Sequence, residues 1–574
     1  MKKLTFFAAF LMLAQLAFAG GLLTNTNQSA QFIRMMSRNA STGIDAVYFN
    51  PAGLIKMDDG WHFAVYSQTI FQTKPVDSKF PLLNDGYYEG VVNVPVFPTA
   101  FAVYKMDNWA FSLGFGPNAG GGSAVYDRGL PSFEIPLTKI APGLGQLAGL
   151  QQAGVDIELP NGYDADLYFD GSSVFWGIQL GATYRASEML SVYGGVRYLP
   201  AKNIYQGSIR NIELDFSGQK VNAMEWMKEK VGVIADKSNY YGDLANQAET
   251  YAAMFGGAAT NLQTVVEGGG GAYTLSQLEG AGYITSSQRA QLETGLQSIG
   301  LSSEQIGGIN AEMAQVTFST AATNLEGQAQ QANGASVLLA GAADGLDDTA
   351  NKMSDKEVDT EQTGAGFTPM IGINFSPAEN LNIAIKYEHK TILNLTNSTK
   401  VDDMGLFPDG QKTRNDLPAI LGVGIGYDAG LVEAQFSYNM YFNKGVDWGM
   451  NTRDMAASHD VVRQREIDRN GMEFGLGLQF NVLDNFAFSV GGLYGDMGIA
   501  DSYQSDFSYS NPSVTAGAGI EWKIMDALTL DAGFSNTFYQ DQTVSFNDPD
   551  VGPYNETLSK TTMNFAIGLS YSIF

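Results

Sequence analysis

The sequence predicts an all-β fold: a 14-stranded antiparallel transmembrane β-barrel with an N-terminal lumenal hatch and a helical extracellular insertion. Three observations predict it. Fourteen stretches alternate apolar with polar or glycine residues, and a side-chain period of two marks a strand. The connections between them alternate short and long, as periplasmic turns and extracellular loops do. No run of eighteen or more apolar residues follows the N-terminus, so no transmembrane helix is expected. Strands of this kind stand in lipid only when neighbours pair every backbone group and the sheet closes.

Residues 1–19 read as a secretory signal. Lys2 and Lys3 are the positive end, Leu4 to Leu16 the apolar core, and Ala17-Phe18-Ala19 a small-x-small cleavage site. Residues 20–60 carry no period of two, yet include Phe32, Ile33, Val47, Tyr48 and Phe49. That apolar content needs burial, and the lumen is the nearest place, so the segment reads as a plug. The competing reading is a disordered tail.

The barrel domain spans 61–574. Its strands are expected near 61–73, 96–106, 109–118, 173–186, 190–205, 365–376, 380–395, 416–427, 431–443, 470–481, 485–496, 511–523, 527–540 and 560–574. Large apolar side chains take one face, as in Trp109, Phe111, Leu113 and Phe115, while Ala110, Ser112, Gly114 and Gly116 take the other. Six short turns, such as Asp107-Asn108 and Asp428-Ala429-Gly430, join strands in pairs. The connection 206–364 differs. It turns Ala/Gln/Glu-rich, with candidate capping boxes at Thr274/Gln277, Thr285/Gln288 and Ser302/Gln305. It reads as a helical cap over the outer mouth or as a surface insertion without a transport role.

Composition narrows the function. A net charge of −27 argues against nucleic acid as a partner. Cysteine is absent, which removes disulfides and Cys-based metal sites. His62, His389 and His459 are scattered without metal-ligand spacing, and Gly268 to Gly271 lacks the Lys-Ser/Thr of a phosphate loop. Asp548 and Asp550 could ligate calcium, but an ordinary acidic loop is the better reading. No cofactor, metal or catalytic residue is expected, and the chain is not expected to be an enzyme. An outer-membrane lipase would need a serine motif that is missing.

One stretch is recognisable. Ser37-Arg38-Asn39-Ala40-Ser41-Thr42, followed by Val47-Tyr48-Phe49-Asn50-Pro51-Ala52-Gly53-Leu54, resembles the N-terminal hatch of FadL-type outer-membrane transporters of long-chain fatty acids and other hydrophobic compounds. The resemblance covers hatch and barrel plan, not the helical insertion. It implies that Asn50, Pro51, Ala52 and Gly53 form the hatch motif. It also implies an inward kink in the third strand that opens the barrel wall for lateral exit. Gly114, Phe115, Gly116, Pro117 and Asn118 are the candidate lateral gate. Pro117 lacks a ladder N–H and the glycines tolerate unusual backbone angles, although the end of a strand entering a loop would look the same. The family's outer groove lies between its third and fourth loops. Here the third is enlarged and the fourth, 396–415, is short, so an outer site built differently is expected. Phe574 ends the chain as terminal aromatics do in such barrels, but out of step with the face ending at Ile573.

The expected function is passive outer-membrane transport of a hydrophobic small molecule such as a fatty acid, by a monomer that hands it to outer-membrane lipid. Arg34, Arg38, Arg197 and Lys386 are candidates to bind its carboxylate. The plainer reading pairs them with inward acids such as Glu388, Glu433 and Glu473 to fix the plug. The alternative function is an adhesin or receptor barrel.

Overall fold

A computed structural model of the chain describes residues 24–447, 467, 469–501 and 504–573. Residues 1–19, where a signal is expected, His459 and Phe574 lie outside the described residues.

Fourteen strands form one closed antiparallel sheet. They are β1 (Gly60–Ser78), β2 (Tyr87–Met106), β3 (Trp109–Tyr126), β4 (Gly162–Arg185), β5 (Leu190–Phe216), β6 (Lys356–Ala378) and β7 (Leu381–Glu388, resuming as Asn394–Asp402). β8 (Ile420–Asp428) follows the short piece Lys412–Arg414. Then come β9 (Val432–Tyr441), β10 (Gly471–Leu483), β11 (Phe486–Asp496), β12 (Ser513–Met525), β13 (Leu528–Tyr539, extended by Gln542–Asp548) and β14 (Thr561–Ile573, preceded by Gly552–Leu558). The barrel closes where β1 pairs β14, from Trp61 opposite Ile573 to Thr73 opposite Thr561. Closure thus pairs the first strand with the last. The alternation reads as expected: Trp109, Phe111, Leu113 and Phe115 are exposed on the outer face, while Ala110 and Ser112 between them are buried.

Several strands run further than their expected ends. β2 starts at Tyr87 rather than 96, β4 at Gly162 rather than 173, and β5 reaches Phe216 rather than 205. β2 hides its first half through a phase slip. Tyr88, Val92 and Val94 face inward, then Phe97, Phe101 and Val103 do. The slip falls at Pro95-Val96, which bulge from β2 opposite the single Thr69 of β1. One extra residue flips the faces and breaks the sequence period. In β5 the outward positions Gln206 and Arg210 are polar, so the lipid-face signal stops before the hydrogen-bonded ladder does.

The insertion forms a compact unit of its own, from 141–164 and 212–354. Its helical part covers less than 206–364, because β5 and β6 occupy the ends of that range. Two long helices, Ala223–Val265 and Ala311–Lys352, run antiparallel. Ser238 Oγ donates to the Ser336 carbonyl at 2.9 Å, and Lys228 meets Asp347 at 2.6 Å. At ~1.5 Å per residue each helix is roughly 60 Å long. Alanines such as Ala245, Ala252, Ala329 and Ala332 are buried along them and let the backbones approach. Three short helices at the far end bury Leu275, Leu278 and Leu296 with Phe318. All three expected capping boxes are formed there.

Candidate functional site

The hatch starts from a short helix, α1 (Ala30–Met35). Ser29 caps it by accepting from the Phe32 N–H at 3.0 Å, and Met36 ends it in the left-handed region at φ 58°. After α2 (Ala46–Phe49), a 3-10 turn (Pro51–Lys56) carries the Asn-Pro-Ala-Gly motif. Asn50 Nδ2 donates to the Ser41 carbonyl at 2.9 Å and to Asn374 on β6 at 2.7 Å. The Pro51 carbonyl accepts from Thr183 on β4 at 2.7 Å, and the Ala52 carbonyl from Ser191 on β5 at 2.6 Å. A Cβ on Gly53 would stand 2.6 Å from the Ser41 carbonyl oxygen, so only glycine fits there. The motif therefore ties the hatch to three consecutive strands. On the opposite wall, Gly475, Gly477, Gly491 and Gly517 leave room for the Met36, Met35 and Ile33 carbonyls, which any Cβ would strike. The plug lies in the lumen because partners on opposite walls hold it.

The four cations named from sequence are all ion-paired within the chain. Arg34 meets Asp531 at 3.0 Å and Glu521 at 2.8 Å, and also donates to Gln479 and Ser489. Arg38 meets Asp45 at 2.7 Å. Burial works against the Asp45 charge, but the Arg38 guanidinium and the Ser41 hydroxyl overcome it and hold the carboxyl below its ordinary value. Arg197 and Lys386 converge on Glu388 at 2.6 and 2.7 Å, with the Tyr48 ring against both. Glu473 instead accepts from the Tyr441 hydroxyl and from Asn439.

The wall is incomplete beside the hatch. Gly114 and Phe115 still pair with Phe101 and Ala100 of β2. Pairing then stops until Val92 meets Ala124, which leaves 93–99 of β2 and 116–123 of β3 without a mutual ladder. The break thus begins at Gly116, inside the expected gate, and runs past Asn118. β3 does not end there. It stays on β4 through bulges at Pro117/Ala119 and Gly120/Gly122, and Gly120 and Gly121 take φ of 65° and 128°. Pro95, Pro98 and Pro117 along the seam have no N–H to offer a ladder. The start of the hatch satisfies two carbonyls along this break. The Asn25 N–H donates to the Asn118 carbonyl at 2.8 Å, and Gln28 Nε2 to the Pro117 carbonyl at 2.8 Å.

Against this seam lies a cavity of about 420 Å³. Phe32, Ile33 and Met36 of the hatch line one side, and Val92, Val94, Phe97, Gly120, Gly121 and Gly122 line the seam side. Two lysines that sequence reasoning missed also face it, Lys74 and Lys560. Lys74 lies over the Tyr509 ring at 4.9 Å and Lys560 over the Tyr539 ring at 4.8 Å. Among the described residues neither has a carboxylate within 4.0 Å. The signal was positional. Lys74 is one residue past the expected end of strand one, at an inward phase.

No family model matches the chain, and no curated protein matches its sequence. Solved structures match in shape. A FadL homologue of Pseudomonas aeruginosa aligns over 97% of this chain and 100% of its own, at 12% identity and TM-score 0.51. That likeness establishes a shared fold. The toluene transporter TbuX of Ralstonia pickettii aligns over 93% of this chain and 94% of its own, at 13% identity and TM-score 0.43. The toluene transporter TodX of Pseudomonas putida aligns over 96% and 99%, at 12% identity and TM-score 0.46.

Proposed function

We propose that this protein is a passive outer-membrane transporter of hydrophobic molecules, long-chain fatty acids foremost. The substrate is captured at the outer loops, rests in the chamber, and leaves sideways into lipid through the seam between β2 and β3. The single observation that carries this reading is the overlap of cavity and seam: Val94, Phe97 and Gly120 to Gly122, which lie where β2 and β3 lack a mutual ladder, also line the chamber.

The chemistry follows from the walls. Apolar contact is worth roughly 25 cal/mol per Å² removed from water, enough to draw an acyl chain from an aqueous vestibule. The hatch blocks the straight path, because its backbone is bonded to opposite walls. A sideways route keeps the chain out of water throughout. Lys74 and Lys560 suit the carboxylate of a fatty acid, since a charged hydrogen bond is stronger than a neutral one. The outward apolar belt of the strands supports an outer-membrane location. The same belt makes membrane lipid the receiver.

The test is a reversible lock. A Cβ on Gly122 would lie 2.7 Å from Val94 Cγ2, within reach of disulfide geometry, and the chain has no other cysteine. Val94→Cys with Gly122→Cys is expected to abolish labelled-oleate uptake into proteoliposomes when oxidised and to regain it on reduction. Equal uptake in both redox states would rule out the lateral route. No oleate or toluene uptake by the unaltered protein would rule out transport.

A further inference from the structure

A second, smaller cavity lies outward of the chamber, about 20 Å³ in volume. It is walled by Phe133 from the helix Pro131–Thr138, by Leu406 and Phe407 from the loop after β7, and by Phe169, Tyr205 and Phe507. The last three rings also line the 420 Å³ chamber. They are the partition between the two spaces.

The three are not held alike. Phe169 and Tyr205 stand on β4 and β5, within paired ladders. Phe507 stands on the connection between β11 and β12. It packs on Phe169 with ring centroids 4.7 Å apart and on Tyr205 at 6.0 Å. Its loop is a tight clip: Ser505 and Ser508 exchange backbone hydrogen bonds, both 3.1 Å. Gln504 closes the base by donating to the Ser510 carbonyl at 2.8 Å. Asp506 accepts from the Ser132 N–H at 2.8 Å, beside Phe133. The clip therefore presents one aromatic side chain at its tip, into the gap left by two fixed rings. Phe507 is thus the one ring of the three carried by a loop rather than by a ladder.

We propose that Phe507 is the door between the outer cavity and the chamber, and that its size sets how bulky an entering molecule can be. The transport meaning of this door rests on the function proposed above; its geometry does not.

The experiment separates the two. Gln72 lines the chamber, so Gln72→Cys reports access from outside in intact cells. A small thiosulfonate and the bulkier, membrane-impermeant fluorescein maleimide are compared. With Phe507 present, the small reagent is expected to react and the bulky one to lag. Phe507→Ala is expected to speed the bulky reagent at least tenfold, and Phe507→Trp to slow both. Phe507→Leu, a milder change, gives an intermediate gain and serves if the alanine variant fails to assemble. Bulky labelling within twofold of the parent in heat-modifiable, folded variants would overturn the door. In parallel, Phe507→Ala is expected to raise uptake of a pyrene-tailed fatty acid relative to oleate. A labelling gain without any oleate uptake would keep the door and sink the transport reading.

Discussion

In the hatch layer, Arg34, Arg38, Arg197 and Lys386 each meet a carboxylate of the chain at 2.6–3.0 Å. In the chamber beside it, Lys74 and Lys560 face tyrosine rings and open space. All six are inward cations in one lumen. Arg34 ties the hatch to the wall, Arg38 pairs within the hatch, and Arg197 and Lys386 share a wall carboxylate beside Tyr48 of the hatch, whereas Lys74 and Lys560 lie over tyrosine rings. A lumenal cation is thus informative about ligands only after its acids have been counted.

The comparison breaks most easily at Arg34. Arg34 is 1% exposed and Asp531 is 0% exposed. Arg34→Ala strands Asp531 in the interior, which costs about 3–5 kcal/mol for a buried pair. The expected outcome is a loosened hatch, read as a rise in single-channel conductance and a lower heat-modification temperature. Unchanged values would remove Arg34 from the anchoring role. Next in size is the chamber pair. Lys74→Gln with Lys560→Gln removes charged hydrogen bonds worth about 1.5–3 kcal/mol each, so oleate should bind at least roughly tenfold more weakly. Methyl oleate, which has no charge, should bind as before. Calorimetry in detergent decides, and equal losses for both ligands would refute head-group recognition.

The smallest effect sharpens the comparison by pH. Asp45 is held below its ordinary value in the folded protein, so its stabilisation is present above the ordinary carboxylate range and lost as pH falls through the folded value. Asp45→Asn should therefore lower the melting temperature at neutral pH. The gap from the unaltered protein should close in acid. A gap independent of pH would mean that Asp45 acts by shape rather than charge.

Much of this was readable from residues alone. The lipid-facing parts of the strands were legible because lipid enforces a period of two, and the turn at Asp107-Asn108 falls where expected. The hatch motif was legible because Gly53 and Asn50 serve backbone contacts that few other residues can make. Beyond the lipid, both faces of a strand meet water or loops, and the period fades while pairing continues. That is why Tyr87 to Pro95 and the neighbourhood of Lys74 escaped notice. The seam was legible in composition, through Gly116-Pro117, but its extent was not. A missing ladder depends on the partner strand, and the phase slip at Pro95-Val96 lies on the other side of the gap.

The three prolines along that break have a consequence for assembly. A sheet with a slot cut into it offers raw margins that foreign strands could join, and such margins seed aggregation. Pro95, Pro98 and Pro117 strip donors from both margins. The molecule can carry an unpaired stretch in its wall without becoming adhesive to its neighbours.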